Sequence, residues 1–127
     1  MDLLIYLQVA PIQEIRFVHP MGKWVKTNCT GSLHFDADNH SNGIVIDFGK
    51  ESIEKATNIC VLIEAIPDQK LGGLTTLVEK LVRSKQKRIT FFFNGNHTAL
   101  EKMVSFSKAQ IHKDLTNVEI QKVITAS

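Results

Sequence analysis

The chain predicts an α/β domain: a single mixed sheet of about five strands, opened by an N-terminal hairpin and crossed by two or three helices. Three stretches carry that expectation. Ile59-Cys60-Val61-Leu62-Ile63 is a short, unalternating apolar run, the pattern of a strand buried on both faces. Leu74, Leu77, Val78, Leu81 and Val82 recur at the spacing that gathers one helical face against a core. Ile89-Thr90-Phe91-Phe92-Phe93 is a second apolar run, ended by Asn94-Gly95. Strand, helix and strand in this order predict two parallel strands joined by a right-handed crossover.

The flanking elements follow from local chemistry. Residues 1–11 form either an arm or the first strand, with Pro11 as a break. Residues 12–18 read as a strand, His19-Pro20-Met21-Gly22 as a turn, and residues 23–35 as the returning strand, kinked at Gly31. The polar stretch 35–43 predicts an exposed loop. Ile44-Val45-Ile46-Asp47-Phe48 has strand composition but lies close enough to Ile53 and Ala56 to begin a helical segment, and a short helix is expected near 50–57. Asn96 is placed to cap a further helix, with Leu100, Met103, Val104, Ser107 and Ile111 on its inner face. Residues 118–124 alternate and read as a last strand or short helix.

At 127 residues the chain predicts one domain, large enough for a self-sufficient core. Fifteen basic against thirteen acidic residues leave too small a positive balance to imply nucleic acid by charge. Cys29 and Cys60 match no metal or redox spacing, which suits a reducing compartment. The apolar opening run, interrupted by Gln8, is far shorter than the ~20 residues of a membrane span and lacks the basic flank of an export signal. A cytoplasmic location is the expectation. The sequons at Asn28, Asn39 and Asn96 are then coincidental.

Candidate chemistry concentrates in two turns. Asp68, Gln69, Lys70, Leu71, Gly72 and Gly73 join a strand to a helix that continues through Thr75, and Asn94 to Thr98 make a second such turn. Both lie at the carboxyl ends of parallel strands, where open α/β sheets place their ligands. Backbone N–H groups at such a helix start can hold an anion, although any tight turn there also needs glycine. His34, Asp36, Asp38 and His40 are spaced two apart and would share a face if extended, but the polar surroundings favour a solvated loop over a metal site. Lys80, Arg83, Lys85, Lys87 and Arg88 complement a helix carboxyl end. No catalytic triad, carboxylate pair, phosphate-loop or dinucleotide motif is present, so nothing argues positively for an enzyme, and no cofactor or metal is expected.

Three blocks resemble the STAS domain of anti-sigma-factor antagonists and sulfate-transporter tails. Gly22-Lys23-Trp24-Val25 through Gly31-Ser32-Leu33 is similar to that family's second strand. Val61-Leu62-Ile63-Glu64-Ala65 through Gly73-Leu74-Thr75-Thr76-Leu77 is similar to its central strand, switch loop and helix, and Ile89 to Phe93 with Ala99-Leu100 to the next pair. The resemblance implies a regulatory module that binds another protein through residues 68–73, with a nucleotide as a further candidate partner. The phosphorylatable serine of that family's loop has no counterpart in Asp68-Gln69-Lys70-Leu71. A second resemblance, carried by Gln69-x-x-Gly72 and Asn96-x-x-Ala99, is to the GNAT acetyltransferases and implies acetyl-CoA at the same loop. There the second loop glycine falls on Leu74 and the expected tyrosine on Met103.

Overall fold

A computed structural model of the chain describes residues 1–126. Its centre is a five-stranded sheet: β1 (Leu3–Val9), β2 (Leu33–Asp38), β3 (Asn58–Ala65), β4 (Arg88–Gly95) and β5 (Gln110–Lys113). The strands lie in the order β2-β1-β3-β4-β5, and every pairing is parallel. Parallel neighbours need crossovers, and four helices supply them: α1 (Pro20–Asn28), α2 (Gly43–Lys55), α3 (Leu74–Arg83) and α4 (Thr98–Ser105). A fifth, α5 (Asn117–Ala126), closes the chain.

Alternate residues of each strand face opposite layers, so the sheet has two cores. Leu3, Ile5, Leu7, Val61, Ile63, Phe91 and Phe93 pack with α2, α3 and α4 through Ile46, Ile53, Leu77, Leu81, Leu100 and Val104. Leu4, Tyr6, Cys60, Leu62 and Phe92 pack with α1 and α5 through Met21, Val25, Ile120 and Ile124. This double coverage explains why Leu3–Leu7 of β1 and Ile59–Ile63 of β3 read as apolar runs without alternation.

The α/β class, the single sheet and its five strands are as the sequence predicts, as is the unit β3-α3-β4. The N-terminal hairpin is not formed, and the sheet is parallel rather than mixed. Residues 12–18 hold only a 3₁₀ turn at Ile12–Glu14, followed by irregular chain that bends at Phe17. The expected returning strand is helix α1 and then β2, so the Gly22–Val25 block likened to a strand is helical. Pro20 at the first helical position has no N–H to waste, and the His19 side chain accepts from the Met21 N–H at 3.0 Å. Met21 and Val25, one turn apart, then bury together.

Other boundaries move for similar reasons. Within the expected loop 35–43, the chain stays in β2 as far as Asp38. The β-branched run at 44–46 lies in α2, started by the Asn42 side chain accepting from the Val45 N–H at 3.1 Å and held by burial of Ile46 and Ile53. Tertiary packing overrides the local strand preference there. Helix α4 is capped by His97 rather than Asn96 and ends at Ser105, so Ile111 belongs to edge strand β5. Residues 118–124 lie in α5.

Candidate functional site

The strand order reverses direction between β1 and β3, and the carboxyl ends of these two strands open a crevice of about 280 Å³. Gln8 and Glu64 face each other there in the strand register, each a polar residue just before the carboxyl end of a strand with an apolar middle. Their side chains organise everything above them. Gln8, buried, accepts from the Arg16 N–H at 2.8 Å and donates to the Arg16 carbonyl, clamping the loop that leaves β1. Glu64 accepts from the Tyr6 hydroxyl at 2.8 Å, from His19 Nε2 at 3.2 Å and from the Arg16 guanidinium. Since His19 Nδ1 accepts from a backbone N–H, its Nε2 carries the donated proton. The Tyr6 and His19 rings meet edge-on, 4.5 Å between centroids.

The electrostatics follow. Burial pushes the Glu64 carboxyl up, but hydrogen bonds from His19, Arg16 and Tyr6 with the Arg16 charge outweigh it and bring the group down to about 2. The Tyr6 hydroxyl moves far upward, first through burial and then through Glu64. Glu64 is therefore a fixed anion neutralised by its neighbours, a structural hub with no poised proton. The loop it anchors presents apolar side chains to water: Ile12, Phe17 and Val18 are 69%, 85% and 79% exposed.

The loop expected from sequence, residues 68–73, divides into two parts. Asp68, Gln69 and Lys70 form one wall of a shallow cleft of about 310 Å³, with Asn96, His97 and Thr98 opposite. The buried His97 closes its floor: Nε2 donates to the Gln69 carbonyl at 2.6 Å while Nδ1 accepts from the Leu100 N–H at 3.2 Å. Asn94 lies apart from this cleft and lines the crevice between β1 and β3. Leu71 and Gly73 are half-buried, and Gly72 between them is exposed. Leu71 packs on the three-helix core, Gly72 adopts φ 55°, and a Cβ on it would lie 2.5 Å from the Asn39 carbonyl oxygen. A Cβ on Gly73 would lie 2.9 Å from Ile46 Cγ1. The N–H groups of Leu74, Thr75 and Thr76 donate to the carbonyls of Leu71, Gly72 and Gly73, at 3.1, 3.4 and 3.2 Å. The first turn of α3, which includes Thr75, thus has these donors occupied.

His34, Asp36 and Asp38 do share one face, since they sit in β2, but no group of three or more metal-binding side chains occurs among the described residues. The sequence reading missed the cluster of Tyr6, Gln8, Arg16, His19 and Glu64. Its available signals were Gln8 interrupting an apolar run and Glu64 ending another. No helix among the described residues is long and apolar enough to cross a membrane. Comparison of the chain with protein-family models, with curated proteins and with solved structures gives no match.

Proposed function

We propose that this domain is a non-catalytic, regulatory protein-binding module of the kind the STAS resemblance implies, and that its contact surface is the carboxyl edge of the sheet. One observation carries the reading: Phe17 and Val18 are almost fully exposed on a loop whose backbone is clamped from below by Gln8 and through Arg16 by Glu64. Surface loops that hold large apolar groups in water at a fixed position are suited to burying them against a partner. The cleft of Asp68, Gln69, Lys70 and Asn96 provides a polar flank on the same edge.

The test is site-specific photocrosslinking in the native host. A crosslinking residue at Phe17 or at Lys70 is expected to trap the same discrete protein, and one at Lys108, by the amino ends of β4 and β5, is expected to trap none. Val18→Ser should reduce the Lys70 adduct about tenfold, the loss of one buried apolar anchor. Equal trapping from all three positions would overturn the reading. The acetyltransferase alternative predicts a saturable rise in melting temperature with acetyl-CoA that Lys70→Glu weakens. With the first α3 donors already occupied, the expected result is no such rise.

A further inference from the structure

The sheet ends in two open edges, β2 and β5, and they differ in what they offer a further strand. In β2 the Leu33 N–H donates to the Asp2 carbonyl at 3.0 Å, and beyond the strand the Asn39 N–H donates to the Gln8 carbonyl at 3.1 Å. The odd-numbered residues therefore turn their backbone groups to β1, and His34, Asp36 and Asp38 turn theirs outward. Asp38 is closed off locally. Its N–H donates to the Ser41 hydroxyl at 2.9 Å, and its carbonyl accepts from the Ser41 N–H at 3.1 Å. The outward N–H and C=O of His34 and Asp36 meet no strand and no side chain among the described residues.

Apolar surface borders the same edge. Leu33, Ile44 and Phe48 are 64%, 81% and 59% exposed. Ile44 and Phe48 stand one turn apart on α2, and the Phe48 ring lies 6.0 Å from the ring of Phe35 in β2. A free strand edge flanked by large exposed apolar groups is a template for pairing with another chain.

We propose that β2 pairs antiparallel with β2 of a second copy, about a two-fold axis at Phe35, so that one sheet runs through a dimer. The strand is complementary to itself. With only His34 and Asp36 open, the register that uses both sets His34 opposite the partner's Asp36, and each such pair exchanges both its N–H···O=C bonds. An imidazole then faces a carboxylate on the α1 side of the sheet, and the symmetry repeats the contact. Lys26 stands close enough on that side for its charge to act on His34, so the partner's Asp36 meets a basic surface. On the other side Leu33 falls opposite the partner's Ala37, and the two Ile44–Phe48 ridges flank the axis. Sliding the strands by two residues sets His34 against His34, or Asp36 against Asp36, and leaves the remaining open groups without a free partner. Strand β5 has no such complement: its outward residues are Ile111 and Lys113, and Lys113 is held by Glu101. The inference does not rest on the protein-binding reading, because it uses the side edge of the sheet and none of Phe17, Val18 and Lys70.

The experiment is sedimentation equilibrium of the full chain over a range of concentrations. The expected result is a reversible monomer–dimer equilibrium. Asp36→Lys sets a cation opposite His34 in both halves of the dimer, and His34→Glu sets two carboxylates opposite each other. Each alone should weaken association about tenfold or more. Mixed together, the two variants regain one parental contact and one contact of reversed charges, and should associate about as well as the parent. Ile44→Glu, at an exposed position of α2, should weaken association about tenfold without touching the core, and Ile111→Glu on β5 should change nothing. A monomer at every concentration would overturn the proposal and leave the edge to a strand of another protein. A dimer indifferent to Asp36→Lys and Ile44→Glu, or one lost with Ile111→Glu, would overturn it as well. Crosslinking from Phe17 and Lys70 is scored separately, so either reading can fail while the other stands.

Discussion

At the scale of single residues, Glu64 decides how the carboxyl edge is built. A half-buried carboxylate is unfavourable by itself, and its three donors, Tyr6, Arg16 and His19, reverse that. Because its folded value, about 2, lies below the ordinary 4.5, the stabilisation is fully present above pH 4.5 and is lost as pH falls toward 2. The linkage is worth up to about 3 kcal/mol, reduced by the exposure of Arg16 to solvent. Glu64→Gln is therefore expected to be about 2 kcal/mol less stable than the parent at neutral pH. Urea unfolding at a series of pH values should show that gap closing between about pH 4.5 and pH 2. A gap that stays constant across this range would mean the ionised carboxylate contributes nothing.

At the scale of elements, the turns that end the strands set the geometry, and they were unevenly legible. The β3-α3-β4 unit could be read because its periodicities, two apolar runs around an amphipathic helix, are local. Helix α1 was hidden by His19-Pro20-Met21-Gly22, a tetrapeptide with the composition of a turn; yet proline opens helices as readily as turns, and Met21, Trp24 and Val25 already had helical spacing. Asn96 looked like the cap of α4, but the buried imidazole one residue later takes that role because it also reaches Gln69. Gly95 was visible as a strand terminator and proves more constrained than that. It adopts φ 93°, and a Cβ there would stand 2.1 Å from the Ala65 carbonyl oxygen of its register partner. Gly95→Ala must strain the backbone and also push β4 away from β3. A loss of about 3 kcal/mol or more is expected in denaturant unfolding. A change below about 0.5 kcal/mol, the scale of ordinary surface substitutions, would refute the close approach.

At the scale of the whole molecule, one sheet separates two cores that share no helix. Which strand neighbours which was not legible, because β1 lies between β2 and β3 through pairings thirty and fifty-six residues apart, and local patterns carry no such information. The same pairings placed Gln8 beside Glu64, which is why the candidate site escaped a reading of motifs. Whether the two faces unfold together is then a physical question about the sheet. Trp24, the single tryptophan, packs on the α1–α5 face, while Phe91 is fully buried on the other. Phe91→Ala leaves a large cavity among α2, α3 and α4 and should cost about 3–5 kcal/mol. Since β3 and β4 present side chains to both layers, loosening one face removes the backing of the other. Trp24 fluorescence and far-ultraviolet circular dichroism should therefore shift to the same lower urea midpoint in the variant, with an unchanged slope. A tryptophan transition that stays at the parental midpoint while the dichroism moves would show that the two layers fold as separate units, with the sheet a boundary between them.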